Sequence, residues 1–141
     1  MSDGSIIERM YAALGSGDID AAIACYTPDA LIWHSFDCVA HDLDAIRPQW
    51  EAMKPAFPEQ EIVDIRRERI AGGFVQRHLW VVRAASGERK AWPVGIFVTI
   101  EDGRIFRLDE YIDRAGAFEP QGEGLMATPG MAAARSPPAL I

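Results

Sequence analysis

Cysteine is scarce in this sequence, and long apolar runs are absent. The chain contains Cys25 and Cys38 only, and their spacing fits neither a CxxC motif nor a disulfide framework. Two isolated thiols are typical of reduced proteins, so we expect a cytoplasmic location. The polar N-terminus lacks the basic stretch and apolar run of a signal peptide. No window approaches the roughly 18 uninterrupted apolar residues of a membrane-spanning helix.

Basic residues are outnumbered and dispersed. The chain has 14 Lys and Arg against 21 Asp and Glu, which gives a net charge of −7. Without a basic stripe, an acidic protein is repelled by phosphate backbones and by anionic membranes, so we expect neither partner. At 141 residues, one domain is the default. We place it at residues 1–115, followed by an irregular tail at 116–141 that is rich in Gly, Ala and Pro.

Apolar residues recur at helical spacing in the first half of the chain. The pattern predicts a first helix that ends at the glycines of 15–17, and a second, capped by Asp18, that ends at 27–29. A strand over 30–36 follows. A third helix is predicted over 42–56, capped by Asp42 or Asp44, with Pro48 expected to kink or delay it.

From residue 61 the apolar period changes to two, which is typical of strands. Pairs that favour hairpin turns, at 72–73, 86–87 and 102–103, separate four segments. The predicted strands are 61–70, 74–84, 90–101 and 104–113. Helices followed by hairpin-linked strands indicate an α+β fold, in which three N-terminal helices pack on a curved antiparallel sheet and enclose a pocket.

Both faces of the predicted sheet are apolar. The face with the larger aromatic side chains also carries His78 and Glu110, and we expect it to contact the helices. His34 lies on the matching face of the first strand if that face also points inward. The other face needs its own cover, so we expect a homodimer through the outer sheet face.

The order of these elements resembles the SnoaL-like group of the nuclear transport factor 2-like superfamily. The matching stretches are residues 17–18, 26–34, 56–58, 102–105 and 110–113. The resemblance implies a cone-shaped pocket between the sheet and the third helix. Relatives with known activity include ketosteroid isomerases, limonene-epoxide hydrolases, scytalone dehydratases and polyketide cyclases, so the resemblance indicates the fold more strongly than the reaction.

Two of these relatives match only in part. Glu110 falls where the epoxide hydrolases have a water-activating Asp, but their Arg–Asp pair falls on His78 and Trp80. In the dehydratases, His78 matches a catalytic His. Their second His falls near Arg69, and their helix-one Asp falls at residues 15–16.

The ionisable residues expected in the pocket are His34, His78 and Glu110. One His would act as a base and the other as an acid or oxyanion donor, with Glu110 as orienter, which needs no cofactor. Glu110 could instead pair with Arg77 or Arg107. The predicted ligand is a small apolar or aromatic ring compound. The residues expected to contact it are Ile32, Phe36, Trp50, Met53, Phe57, Trp80, Trp92, Val94 and Leu108.

Other polar residues have simpler interpretations. The spacing of the three histidines, including His41 in a predicted loop, matches no common metal site, so we expect no metal. Asp37 either caps a turn or lies at the pocket mouth. Three functions stay open at this point: an isomerase, dehydratase or cyclase without a cofactor; a small-molecule binding domain; or an interaction module that uses the outer sheet face.

Overall fold

The computed structural model describes residues 4–120, which form three helices and one six-stranded sheet. None of these helices is long and apolar enough to cross a membrane. The elements, in chain order, are α1 (Ser5–Ser16), α2 (Ile19–Ala24), β1 (Tyr26–His34), β2 (Val39–His41), α3 (Leu43–Ala56), β3 (Glu59–Ile70), β4 (Gly73–Arg83), β5 (Arg89–Glu101) and β6 (Arg104–Ile112).

The helix starts follow from side-chain caps. Asp18 Oδ1 accepts a hydrogen bond from the Ala21 amide at 3.1 Å, and Asp42 Oδ1 accepts one from the Ala45 amide at 2.8 Å. Each carboxylate satisfies an amide that has no partner within its helix. Asp42 is therefore the cap of α3, and the helix continues through Pro48 to Ala56.

The predicted bounds of the first strand, 30–36, were wrong. Helix α2 ends at Ala24, and β1 begins at Tyr26 rather than at residue 30. Pro28 does not end helix α2, because it lies within strand β1, where its fixed φ is tolerated. His41, which was expected in a loop, lies at the end of the short strand β2, and this strand pairs with the end of β1 at the sheet edge.

The strand order is β2-β1-β6-β5-β4-β3. The three predicted turns connect β3 to β4, β4 to β5 and β5 to β6. Their glycines, Gly72, Gly87 and Gly103, all have positive φ values. The prediction of an antiparallel sheet was wrong at one pair, because β1 and β6 run parallel. A parallel pair needs a long crossover, and this one contains α3 and four strands, so no local turn signal could reveal it.

Register shifts in β1, β3 and β5 accompany the curvature of the sheet. At the narrow start of β4, Gly73 lies against the backbone of Val98, and a Cβ there would be 1.8 Å from the Val98 carbonyl oxygen. The core lies between the helices and one sheet face. This arrangement places α1 and α3 over the concave side, where the candidate site lies.

The tail is described only as far as residue 120. Phe118 exchanges backbone hydrogen bonds of 2.8 and 3.0 Å with Ala91 at the start of β5. Pro120 is buried, and its carbonyl oxygen accepts a hydrogen bond from Arg89. The start of the predicted tail therefore packs on the sheet, and its remainder lies outside the described residues.

Candidate active site

A cavity of about 610 Å³ lies between helices α1 and α3 and the sheet. Its walls are mostly apolar, with a few polar groups among them, which is the usual character of a small-molecule site. The lining residues are Tyr11, Leu14, His34, Phe36, Gln49, Trp50, Ala52, Met53, Phe57, His78, Trp80, Trp92, Val94, Glu110, Ile112 and Arg114.

Three aromatic rings form one wall of the cavity. Trp80 and Trp92 are paired across β4 and β5, and their rings stack with centroids 4.9 Å apart. Phe57, which follows α3, meets both rings edge-on at 5.3 and 5.8 Å. Such contacts hold the rings in fixed orientations and present flat apolar surface to the cavity.

Glu110 is the carboxyl group of the cavity, and it comes from β6. Tyr11 Oη donates a hydrogen bond to Glu110 Oε2 at 3.3 Å, while Glu110 Oε1 lies 3.7 Å from His34 Nε2. Burial raises the pKa of Glu110 to about 7, and the Tyr11 hydrogen bond opposes that rise. Glu110 is therefore poised to gain or lose a proton near neutrality.

His34, at the end of β1, lies next to Glu110 because the two residues are register partners in the parallel pair. Its ring stacks on Phe36 at 4.8 Å, and the guanidinium of Arg114 lies over the Phe36 ring at 4.5 Å. Burial lowers the pKa of His34, and the nearby Asp37 carboxylate opposes that shift. Its Nδ1 is buried and has no hydrogen-bond partner among residues 4–120.

His78 lies two strands away from Glu110, on β4. Its Nδ1 is 3.1 Å from the Gln76 side-chain nitrogen, and its ring meets the Tyr11 ring edge-on at 4.9 Å. Burial lowers the pKa of His78 to about 4, so the ring is neutral at pH 7. Tyr11 therefore contacts both His78 and Glu110.

All three predicted ionisable residues line the cavity, as do seven of the nine residues expected to contact a ligand. Ile32 and Leu108 require a correction, because they pack in the core and do not line the cavity. They are register partners on β1 and β6. Each lies two residues before His34 or Glu110, so each points the same way but lies deeper under the helices.

The alternative pairing of Glu110 was wrong. Arg77 lies 3.9 Å from Glu68, and Arg107 donates to Asp109 at 2.8 Å, on the outer face. Asp37 is a turn residue, because its carboxylate accepts from the Val39 amide at 3.0 Å and contacts His41 at 3.1 Å. No group of three or more His, Cys, Asp or Glu side chains within residues 4–120 could hold a metal ion.

Sequence reasoning missed three residues that organise the site. Tyr11 was not among the predicted site residues, although a buried tyrosine hydroxyl usually needs a partner. Gln76 alternates with His78 on the inner face of β4, and a buried amide between apolar positions is the signal that could have identified it. Arg67 lies on β3 and contacts Gln76 through space, which no spacing in the sequence indicates.

The family model of the SnoaL-like domain matches residues 7–108. This segment is most of the chain and extends from α1 into β6. The chain belongs to this family. Glu110 lies two residues beyond the matched segment. Among curated proteins, none matches the sequence.

Solved structures of other proteins share this fold. A putative polyketide cyclase from Pseudomonas putida is 20% identical, with a TM-score of 0.68 over 82% of this chain and 94% of that one. An LEH-like epoxide hydrolase from M. tuberculosis is 17% identical, with a TM-score of 0.65 over 78% of this chain and 81% of that one. A Catenulispora acidiphila protein with a ketosteroid isomerase-like fold is 10% identical, with a TM-score of 0.67 over 78% and 86%. At these identities, the similarity concerns the nuclear transport factor 2-like fold.

Proposed function

We propose that this SnoaL-like protein is a cofactor-independent enzyme that performs acid–base chemistry on an apolar, ring-containing small molecule. The reaction belongs to the isomerase, dehydratase or cyclase type. The observation that carries the proposal is Glu110, a carboxyl group in an apolar cavity with a pKa raised to about 7 and a tyrosine donor at 3.3 Å. A base whose pKa lies near the operating pH combines the correct ionisation state with sufficient basicity.

The division of roles differs from the one suggested by the sequence. His78 is neutral at pH 7 and becomes protonated only near pH 4, which makes it a weak base. Glu110 is the stronger candidate for the proton acceptor, and His34 lies close enough to exchange a proton with it through small movements. The stacked Trp80 and Trp92 rings favour a flat or cyclic substrate.

The direct test begins with a ligand. A thermal-shift screen of terpenoids, steroids and aromatic polyketides identifies compounds that stabilise the protein, and solvent-deuterium incorporation into each hit reports proton transfer at carbon. We expect wild-type protein to catalyse exchange and Glu110→Gln to lose at least about a hundredfold of that rate, the usual scale for a general base. Thr99→Val, an exposed change on the outer face, is the matched control.

Binding without exchange would contradict the catalytic proposal. In that case Glu110→Gln would bind the ligand as well as wild type does, and the protein would be a non-catalytic binding domain. If the protein neither binds small molecules nor exchanges protons, the enzyme and binding-domain functions both fail. The function that then stays open is an interaction module that uses the outer sheet face.

We also propose a homodimer that buries the outer sheet face, and a cytoplasmic location. Trp33, Phe97 and Tyr111 form an aromatic cluster across β1, β6 and β5 on that face, with ring centroids 5.2 and 6.0 Å apart. Phe97 is 49% exposed and Tyr111 is 51% exposed. Contiguous exposed aromatic surface of this kind supports self-association. Cys25 and Cys38 are unpaired thiols, which suits a reducing compartment.

A further inference from the structure

A chain of side-chain hydrogen bonds runs from the surface to His78. Glu8 Oε1 accepts from Arg67 Nη2 at 2.7 Å, and Arg67 Nε donates to Gln76 Oε1 at 2.9 Å. The Gln76 side-chain nitrogen then lies 3.1 Å from His78 Nδ1. Three elements, α1, β3 and β4, therefore contribute to the position of one imidazole.

The direction of these hydrogen bonds follows from the chemistry of arginine. A guanidinium has N–H donors only, so the Gln76 group that faces Arg67 must be the carbonyl oxygen. The Gln76 NH₂ group consequently faces His78 and donates to Nδ1. Since Nδ1 accepts, the proton of the neutral ring must be on Nε2. A reversed amide would place its NH₂ group against the Arg67 donor and its carbonyl oxygen against the accepting Nδ1.

Burial makes this arrangement strict. Gln76 is 0% exposed and His78 is 4% exposed, so water cannot replace the contacts between them. His78 Nε2 is buried and has no hydrogen-bond partner among residues 4–120, although the residue lines the cavity. A buried N–H without a partner costs free energy unless a ligand accepts its hydrogen bond.

We propose that Arg67 and Gln76 are positioning residues that hold His78 in the Nε2–H tautomer, so that His78 donates a hydrogen bond to a carbonyl oxygen of the substrate. The substrate class is therefore an apolar cyclic ketone with an enolisable C–H bond. This inference rests on the proposed function and assigns the donor that accompanies Glu110.

The reaction is balanced with these two groups. The Glu110 carboxylate removes a proton from the carbon next to the carbonyl, and the C–H electron pair becomes the C–C π bond of an enolate. The carbonyl π electrons move to oxygen, where the His78 N–H stabilises the developing charge. The Glu110 carboxylic acid then returns the proton to carbon. Two strand spacings, about 10 Å, separate the β4 and β6 backbones that carry the groups, so their side chains can bracket a ring.

The first test measures the tautomer and does not depend on turnover. With ¹⁵N-labelled histidine, long-range ¹H–¹⁵N correlation spectra distinguish Nδ1–H, Nε2–H and doubly protonated rings, and the chain contains only three histidines. We expect wild-type His78 to be in the Nε2–H form from pH 5 to 8. In Gln76→Glu, a carboxylate faces Nδ1, and the proton should move to that nitrogen. Gln76→Met removes the constraint and should give a mixture of the two forms.

The second test uses β-tetralone, with tetralin as the ligand that has the same rings but no carbonyl group. We expect β-tetralone, but not tetralin, to shift the His78 Nε2–H resonance of the wild-type protein. We also expect Gln76→Glu to lower exchange of the β-tetralone α-protons at least about tenfold, with a smaller change in KM.

An Nδ1–H or imidazolium form of His78 in the wild-type protein would overturn the inference. An Nε2–H resonance that β-tetralone and tetralin shift equally would also overturn it. If the resonance responds to β-tetralone but Glu110→Gln exchanges protons as fast as wild type, the donor assignment stands and the proposed function fails.

Discussion

Tyr11 Oη donates a hydrogen bond to Glu110 Oε2 at 3.3 Å, and the ring of the same tyrosine packs edge-on against His78. One α1 side chain therefore touches the proposed base and the proposed donor, which lie on different strands. The hydroxyl favours the ionised form of Glu110, whereas burial favours the neutral form. The balance between these effects sets the pH at which Glu110 can accept a proton.

Tyr11→Phe should raise the pKa of Glu110 above its value of about 7, because the hydrogen bond that stabilises the carboxylate is lost while burial remains. The pH–rate midpoint should move upward, and the rate at pH 7 should fall by up to about tenfold, since a charge-assisted hydrogen bond contributes about 1.5 kcal/mol. A ¹³C titration of the Glu110 carboxyl measures the shift without a substrate. Tyr111→Phe, on the outer face, should leave both unchanged. An unchanged Glu110 titration in Tyr11→Phe would contradict the assigned role.

Glu110 and His78 should make opposite contributions to the pH dependence of stability. The folded-state pKa of Glu110 is about 7 against an ordinary 4.5, so the folded state holds the proton more tightly and stability falls as the pH rises from 4.5 to 7. The folded-state pKa of His78 is about 4 against an ordinary 6.5, so the unfolded state holds the proton more tightly and stability rises as the pH rises from 4 to 6.5. Each contribution is about 3 kcal/mol, at about 1.4 kcal/mol per pKa unit.

Single substitutions should separate the two contributions. In Glu110→Gln, the free energy of unfolding should increase between pH 4 and 6.5, because the His78 contribution, assisted by that of His34, is no longer opposed. In His78→Gln, stability should decrease between pH 4.5 and 7. Urea titrations at several pH values measure both slopes, and the wild-type profile should be flatter than either. Parallel profiles for the two variants would show that these groups are not shifted as described.

Much of the fold was predictable because its signals are local. Asp18 and Asp42 cap helices at the expected positions, and the glycines of the three turns are where the hairpins need positive φ. The alternation of residues in β4 and β6 placed His78 and Glu110 on the same face. The parallel pairing of β1 with β6 joins residues far apart in sequence, and turn chemistry carries no information about it.

The candidate site was predicted in composition but not in its hydrogen bonds. The three ionisable residues follow from strand alternation, yet their roles depend on Tyr11, Gln76 and Arg67, which approach from other elements. Ile32 and Leu108 share the inward direction of His34 and Glu110 but lie deeper in the core. Alternation predicts which face a side chain occupies, and it does not predict how far along the strand a cavity extends.

The stacked pair of Trp80 and Trp92 should determine affinity for flat ligands. Trp80→Leu keeps an apolar side chain but removes the ring that packs on Trp92 at 4.9 Å and on Phe57 at 5.3 Å. We expect the Kd for β-tetralone to rise roughly fivefold, since an aromatic pair contributes about 1 kcal/mol beyond its buried area. Isothermal titration calorimetry measures the change. Trp33→Leu, on the outer face, is the control, and equal losses in the two variants would argue against binding at this wall.

The aromatic cluster of Trp33, Phe97 and Tyr111 should carry the proposed dimer. Phe97 is its exposed member on β5, so Phe97→Glu would place two carboxylates in a self-complementary interface, where charge is costly. We expect sedimentation velocity to show a dimer for the wild-type protein at micromolar concentration and a monomer for Phe97→Glu. Val39→Glu changes another exposed apolar residue, on the edge strand β2, and should stay dimeric. A wild-type monomer over the whole concentration range, or a Phe97→Glu dimer, would remove the outer face as the site of self-association.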